Sequence, residues 1–169
     1  MLKIINDLIP YFEDCYRRIN VREYAKIMRI SPPTASKLLS YYSSKKLLIK
    51  SKYKNYLLFS ANNQNKQFID LSRIYWSERL KELIDVLEKK LISPTIILFG
   101  SLSKAETKPD SDIDLAIFAQ KKEFNIENFE KKLKRKIRIQ WFKSLKDIKN
   151  KELANNIVNG YVLKGKIVL

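Results

Sequence analysis

Two short apolar runs joined by a polar segment constrain the fold more than any other feature of the chain. Residues 96–99 form the first run, which stops at Gly100, and residues 115–119 form the second, which follows Asp112 and Asp114. Apolar runs of this length, bounded by polar turn residues, predict two buried β-strands. Because side chains alternate along a strand, the two carboxylates point to one face, about 7 Å apart. They repel each other unless a cation lies between them, which predicts a site for a hard divalent ion such as Mg²⁺.

The polar segment after the first run predicts a second kind of contact. Gly100 lets the backbone approach a ligand closely, and the amides that follow it are expected to open a helix, where phosphate binds well. The alternative is an ordinary strand–turn–strand unit with a solvated acidic end. A generic turn rarely supplies both a phosphate loop and a carboxylate pair, which favours the ligand-binding interpretation.

This combination resembles the nucleotidyltransferase superfamily that includes DNA polymerase beta, and more closely its small prokaryotic members, the minimal nucleotidyltransferases. That family has a Gly-Ser pair, a loop glycine four residues after the serine, and an Asp-x-Asp strand preceded by serine. The matching positions here are Gly100, Ser101, Ser111, Asp112 and Asp114. The resemblance covers about residues 68–169, and Ala105 stands where the family usually has the loop glycine.

The resemblance implies transfer of a nucleoside monophosphate from a nucleoside triphosphate to a hydroxyl group, with Mg²⁺ or Mn²⁺ as cofactor. Asp112 and Asp114 are then the catalytic and metal-binding residues. The implied nucleotide-binding residues are Gly100, Ser101, Lys104 and Ser111. In this superfamily three carboxylates hold two ions; one lowers the pKa of the attacking hydroxyl and the other steadies the triphosphate.

The third carboxylate normally comes from the strand after the Asp-x-Asp strand, and here that strand has no acid. Residues 137–142 form this predicted strand, with Arg138 and Gln140 on its polar face. We expect Gln140 to stand at the equivalent position, to within two residues of register. The nearby acids, which lie outside the strand, are Glu127, Glu130 and Asp147. One metal site is therefore predicted to be intact and the second impaired.

The composition narrows the chemistry further. The chain contains no histidine and one cysteine, Cys15, which excludes an internal disulfide and zinc sites of the usual kinds. No apolar run approaches the ~20 residues that a membrane helix needs, and the N-terminus lacks a signal-peptide cleavage region. We therefore expect a cytoplasmic protein with no membrane partner.

The net charge of +16 is shared evenly along the chain. Residues 1–60 hold 12 basic and 4 acidic residues and the remainder hold 22 and 14, so each part carries +8. A balance of this size favours a polyanionic partner, most simply nucleic acid. The alternative is that lysine serves as a solubilising residue, and charge by itself does not decide between the two.

Residues 19–60 have the pattern of two helices followed by a hairpin. Asn20 and Glu23 have the spacing of a capping box, which predicts the start of a short helix. The elements expected after it are a turn at Ser31-Pro32-Pro33, a helix over 33–46, strands over 47–50 and 56–59, and a basic polar turn over 51–55. The pattern resembles a winged helix-turn-helix that covers roughly residues 1–61.

In such a module the second helix enters the major groove and the wing contacts phosphates. The resemblance therefore implies double-stranded DNA as a partner. The residues expected to contact DNA are Thr34, Ser36, Lys37, Ser40 and Tyr41 in the helix and Lys50, Lys52 and Lys54 in the wing. The alternative is a module that contacts only protein, but the near absence of acidic residues from these surfaces favours DNA.

The whole chain is predicted to have an α+β fold with a mixed sheet in its C-terminal part. The predicted order is a winged helix-turn-helix over 1–61, a linker over 62–67 and a small α/β nucleotidyltransferase domain over 68–169, which opens with a long connecting helix over 68–91. This amphipathic helix packs on the core, holds the domains apart or forms a dimer seam, and core packing is the simplest interpretation. Further elements are expected as helices over 121–136 and 144–159 and an extended segment over 161–169. The basic end of the first of these helices is either solvated or a patch that faces phosphates.

Two functions remain open at this level. The protein is either a metal-dependent transferase or a DNA-binding regulator whose transferase domain senses a nucleotide or serves as a dimerisation scaffold in a homodimer. Minimal nucleotidyltransferases often work as antitoxins beside a toxin, so the resemblance also admits a partner protein as acceptor. The missing third carboxylate favours the regulator, and the phosphate loop favours at least nucleotide binding.

Overall fold

A computed structural model of the protein describes residues 2–167. The chain divides into two compact units. The N-terminal unit runs to Ser72 and includes the separate segment Ala105–Pro109, and the C-terminal unit comprises Arg73–Lys104 and the chain from Asp110 onwards.

The N-terminal unit combines helices with a small antiparallel sheet. Its elements are α1 (Lys3–Glu13), β1 (Ile19–Asn20), α2 (Val21–Met28), α3 (Pro32–Ser44), β2 (Leu48–Tyr53) and β3 (Tyr56–Ala61). The strand order is β1-β3-β2. The Asn20 side chain accepts a hydrogen bond from the Glu23 amide at 2.9 Å, and Ser31 caps α3 through the Thr34 amide. These local caps fix the starts of both helices; α2 begins where the sequence predicts and α3 begins one residue earlier than predicted.

A buried carboxylate ties the helices of this unit together. Asp7 of α1 is 6% exposed and accepts hydrogen bonds from the Tyr42 hydroxyl of α3 and from Lys3, each at 2.6 Å. The Tyr24 hydroxyl of α2 donates to the backbone carbonyl of Asp7 at 2.7 Å. Around these bonds lie fully buried apolar and aromatic side chains, among them Leu8, Tyr11, Phe12, Leu39, Phe59 and Phe68.

Some local predictions in this unit were wrong. Strand β2 continues to Tyr53, so the turn of the hairpin is Lys54-Asn55 rather than 51–55. Ile27, an apolar residue of α2, is exposed.

The C-terminal unit is built on a mixed sheet. Its elements are most of α4 (Lys66–Lys90), β4 (Thr95–Phe99), a 3-10 turn (Ser101–Lys104), β5 (Ile113–Phe118), α5 (Glu127–Leu133), β6 (Ile137–Phe142), a second 3-10 turn (Leu145–Asp147), α6 (Lys151–Val158) and β7 (Tyr161–Lys164). The strand order is β6-β5-β4-β7. Strand β4 is antiparallel to β5 and β7, whereas β6 is parallel to β5. The predicted α+β class and mixed sheet are confirmed.

Packing in this unit explains the role of α4. The side chains of Trp76, Leu80 and Leu83 on this helix are buried, as expected of a helix that packs on the core. Ile74 of the same helix is exposed. One face of the sheet packs against α6 in a cluster that contains Ile97, Phe99, Ala116 and Ile157.

The later helices are shorter than the sequence predicts. Residues 121–126 are irregular and α5 begins only at Glu127, whose amide is bound by the Asn125 side chain at 2.8 Å. Likewise, the predicted helix over 144–159 is interrupted, because the Asp147 carboxylate accepts the Ser144 amide at 2.7 Å and closes a separate turn. Of the extended segment predicted over 161–169, residues 168–169 lie outside the described part. None of the described helices is long and apolar enough to cross a membrane.

Candidate active site

Strands β4 and β5 bring the glycine of the polar segment against a carboxylate. Phe99 at the end of β4 pairs with Asp114 of β5, so Gly100 begins the loop beside that aspartate. Gly100 has a φ of +73°, and a Cβ added there would lie 2.6 Å from Oδ2 of Asp114. Only glycine permits both this backbone angle and this close approach.

The loop after Gly100 is a single tight turn rather than a full helix. The Ser103 hydroxyl donates to the Gly100 carbonyl at 2.9 Å, and Nε of Arg73 donates to the Ser103 carbonyl at 2.7 Å. The Lys104 ammonium donates to Oδ1 of Asn156 in α6 at 2.8 Å. These contacts hold the backbone that follows Gly100, and they leave Lys104 with a neutral partner that does not cancel its charge.

Ala105 has the backbone conformation of the glycine that it replaces. Its φ is +56°, in the left-handed region that costs a residue with a side chain about 1–2 kcal/mol. The turn after Lys104 therefore keeps the shape that a glycine would give it, at some cost in stability.

The two aspartates share their surroundings with Arg138. Asp112 lies just before β5, and its Oδ2 atom is 2.5 Å from Nη2 of Arg138. Burial raises the pKa of Asp114 above its ordinary value; the Arg138 charge lowers this pKa in part, and the charge of Asp112 adds to the rise. The charge of Asp112 is thus close enough to oppose the ionisation of Asp114.

Arg138, rather than Gln140, stands beside the carboxylates. In the parallel pairing of β5 and β6, Asp114 lies opposite Arg138 and Ala116 opposite Gln140. The expectation that Gln140 takes the third position is therefore off by two residues. Sequence reasoning had no means to fix this, because the register of two strands far apart in the chain depends on the whole sheet.

Within the described part of the chain, no acid replaces the missing carboxylate. The Glu130 side chain accepts the Ile137 amide at 2.9 Å, and Asp147 closes its own turn. Among residues 2–167 no group of three or more metal-ligating side chains comes together. The donor set does not fit two ions. The residues that fit a single ion are Asp112 and Asp114, and Asp112 is paired with Arg138.

Arg135 is a site residue that the sequence analysis missed. It was placed in an exposed basic stretch, but it is 8% exposed. Its Nη1 donates to the Ser111 carbonyl at 2.8 Å, and its guanidinium lies 5.1 Å from the centre of the Trp76 ring. Arg135 therefore fixes the backbone that leads into Asp112.

Other cations of the basic stretch 131–138 also have partners within this unit. Lys132 pairs with Glu82, Lys136 pairs with Glu130, and Arg138 pairs with Asp112. This pairing favours a solvated end of α5 over a patch reserved for external phosphates.

In the N-terminal unit, the residues predicted to contact DNA are all exposed. They are Thr34, Ser36, Lys37, Ser40 and Tyr41 on α3 and Lys50, Lys52 and Lys54 on the hairpin of β2 and β3. Tyr53 and Tyr56 pair with each other across the end of the same hairpin and are 60% and 59% exposed. An aromatic residue at each end of a basic turn was visible in the sequence but was not considered.

Comparison with known protein families identifies the C-terminal unit. No curated protein and no solved structure matches the chain. A family model described as "Polymerase beta, Nucleotidyltransferase" matches residues 81–168. The matched region spans slightly more than half of the chain and contains the Gly100 loop, both aspartates and Arg138. The chain therefore belongs to the polymerase beta nucleotidyltransferase family.

Proposed function

We propose that the C-terminal unit binds a nucleoside triphosphate and transfers its nucleoside monophosphate to a hydroxyl acceptor, while the N-terminal unit binds double-stranded DNA. The observation that carries the first part is the approach of the Gly100 backbone to Asp114. It brings a phosphate-binding loop and a carboxylate pair together at one end of the sheet, as nucleotidyl transfer requires.

The roles of the residues follow from their chemistry. The backbone at Gly100 and Ser101, with Ser111, contacts the triphosphate, and Lys104 adds a positive charge from its position beside Asn156. Asp112 and Asp114 hold one Mg²⁺ or Mn²⁺ ion. When bound, that ion would neutralise charge on the triphosphate.

Charge and exposure support the DNA-binding part. The first 60 residues carry +8, and the polar residues of α3 and the lysines of the hairpin are exposed. Lysines release counterions when they contact phosphate, so binding should weaken steeply with salt.

Labelled triphosphates test the transferase. The protein is incubated with each of the four α-labelled nucleoside triphosphates, with Mg²⁺ or Mn²⁺, and with protein, DNA or RNA acceptors. We expect label on one acceptor class, and none with the Asp112→Asn/Asp114→Asn variant. Equal labelling by this double variant, or no triphosphate binding by the wild type in calorimetry, refutes the proposal.

A second function is favoured by the ion pair between Arg138 and Asp112. In this alternative the protein is a DNA-binding regulator, and its C-terminal unit senses a nucleotide or supports a homodimer or a complex with a partner protein. Triphosphate binding without transfer to any acceptor, together with a change in DNA affinity, supports it. Light scattering of the purified protein determines the oligomeric state.

A further inference from the structure

Arg138 is in contact with one of the proposed metal ligands, and its position is set by the pairing of the strands. The pairing of β5 with β6 sets it opposite Asp114, and its Nη2 lies 2.5 Å from Oδ2 of Asp112. A positive charge at this place does what a divalent ion would do there, since it reduces the repulsion between the two carboxylates.

The two partners of this ion pair differ in exposure. The side chain of Asp112 is 20% exposed and that of Arg138 is 70% exposed. The carboxylate is therefore partly shielded from water, where attraction to a cation is stronger than at an open surface. The arginine has room to leave, because most of its side chain is in solvent.

We infer that Arg138 is an internal cation that competes with a divalent ion for Asp112, so that ion binding requires Arg138 to release this carboxylate. The inference rests on the proposed nucleotide site. A bound triphosphate offers Arg138 another anionic partner, because guanidinium groups bind phosphate as well as carboxylate. Ion binding and triphosphate binding are then linked through one side chain.

The test measures binding of Mn²⁺ without nucleotide, from the signal of free Mn²⁺ in electron paramagnetic resonance. In Arg138→Gln the affinity for Mn²⁺ should rise roughly tenfold or more, because an opposing charge within contact distance is removed. The matched control is Lys136→Gln, which removes the same charge two residues away at a side chain that pairs with Glu130. Thermal unfolding of both variants verifies that they fold.

The gain in Arg138→Gln must disappear when Asp112→Asn is added. Equal Mn²⁺ affinity in wild type and Arg138→Gln, an equal gain in Lys136→Gln, or no Mn²⁺ binding by either variant overturns the inference. Calorimetry with triphosphate separates this failure from that of the proposed function. If triphosphate binding depends on Asp112 and Asp114 but Arg138→Gln changes nothing, only the role of Arg138 is wrong; if no form binds triphosphate, the proposed function fails as well.

Discussion

At the scale of single residues, Asp114 combines partial burial with a negative charge. Burial raises its pKa, and the fold offsets this only in part with Arg138. Because the folded-state pKa lies above that of the unfolded chain, ionisation costs stability. The contribution of this group is fully present below the ordinary carboxyl pKa and is lost as the pH rises through the folded-state value.

Asp114→Asn should therefore be more stable than the wild type at pH 8, and the difference should shrink as the pH falls toward 3. Denaturant unfolding at several pH values measures this difference directly. Asp110→Asn is the control, since Asp110 is an exposed carboxylate just outside the strand. A gain for Asp114→Asn that is the same at every pH would contradict the ionisation argument.

Substitutions at Gly100 and Ala105, two positions with positive φ, should change the free energy of unfolding in opposite directions. Gly100→Ala places a Cβ against Asp114 and forces a side chain into the left-handed region, which should cost about 1–2 kcal/mol and abolish triphosphate binding. Ala105→Gly relieves the same kind of strain and should add up to about 1 kcal/mol to the free energy of unfolding. Urea unfolding tests both variants, and a stabilised Gly100→Ala would show that the loop is not held as described.

At the scale of elements, helices α1 and α3 are connected through a buried polar contact. Asp7 is almost fully buried, so its carboxylate depends on the Tyr42 hydroxyl and on Lys3 for hydrogen bonds. A buried acceptor that loses a donor costs more than the bond itself contributes.

Tyr42→Phe should lower the free energy of unfolding by about 1–3 kcal/mol, because the buried oxygen of Asp7 that accepts from Tyr42 keeps only the bond from Lys3. Tyr41→Phe removes a hydroxyl from the exposed neighbouring residue and should change stability little. Circular dichroism during urea unfolding compares the two, and similar effects would mean that the Asp7 contact contributes little.

The hairpin of β2 and β3 is the element on which the DNA proposal can be tested most directly. Changing Lys50, Lys52 and Lys54 to alanine together should weaken binding to all DNA sequences and reduce the salt dependence by up to about three phosphate contacts. Fluorescence anisotropy at several salt concentrations gives both quantities. A triple lysine variant on the C-terminal unit, Lys143, Lys146 and Lys149 to alanine, controls for the loss of net charge. If the hairpin variant keeps the wild-type affinity and salt slope, the assignment of the wing is wrong.

At the scale of the whole molecule, a unit proposed to bind DNA and a nucleotidyltransferase-family unit in one chain raise the question of whether their binding sites are coupled. A regulator that senses a nucleotide requires triphosphate to change DNA affinity, and linkage then requires DNA to change triphosphate affinity by the same factor. A transferase whose units act independently shows no such change.

We expect coupling of roughly fivefold or more if the regulator proposal is right, the lower end of typical allosteric effects. Anisotropy titrations of DNA with and without triphosphate, and calorimetric titrations of triphosphate with and without DNA, measure the two factors. Asp112→Asn/Asp114→Asn should remove the coupling, and a change in DNA affinity that survives in this variant would arise from another site.

The sequence by itself determined the features that depend on neighbouring residues. Strands β4 and β5 with Gly100 between them and the cap at Asn20 follow from local periodicity and capping chemistry. The tertiary structure decided which residues from distant segments of the chain contact the candidate site. Arg138 pairs with Asp112, Arg135 donates a hydrogen bond to the Ser111 carbonyl, and Lys104 donates one to Asn156. Each of these contacts joins residues that are 24 to 52 positions apart. Those contacts depend on strand register and on the packing of α6, which a local pattern does not contain.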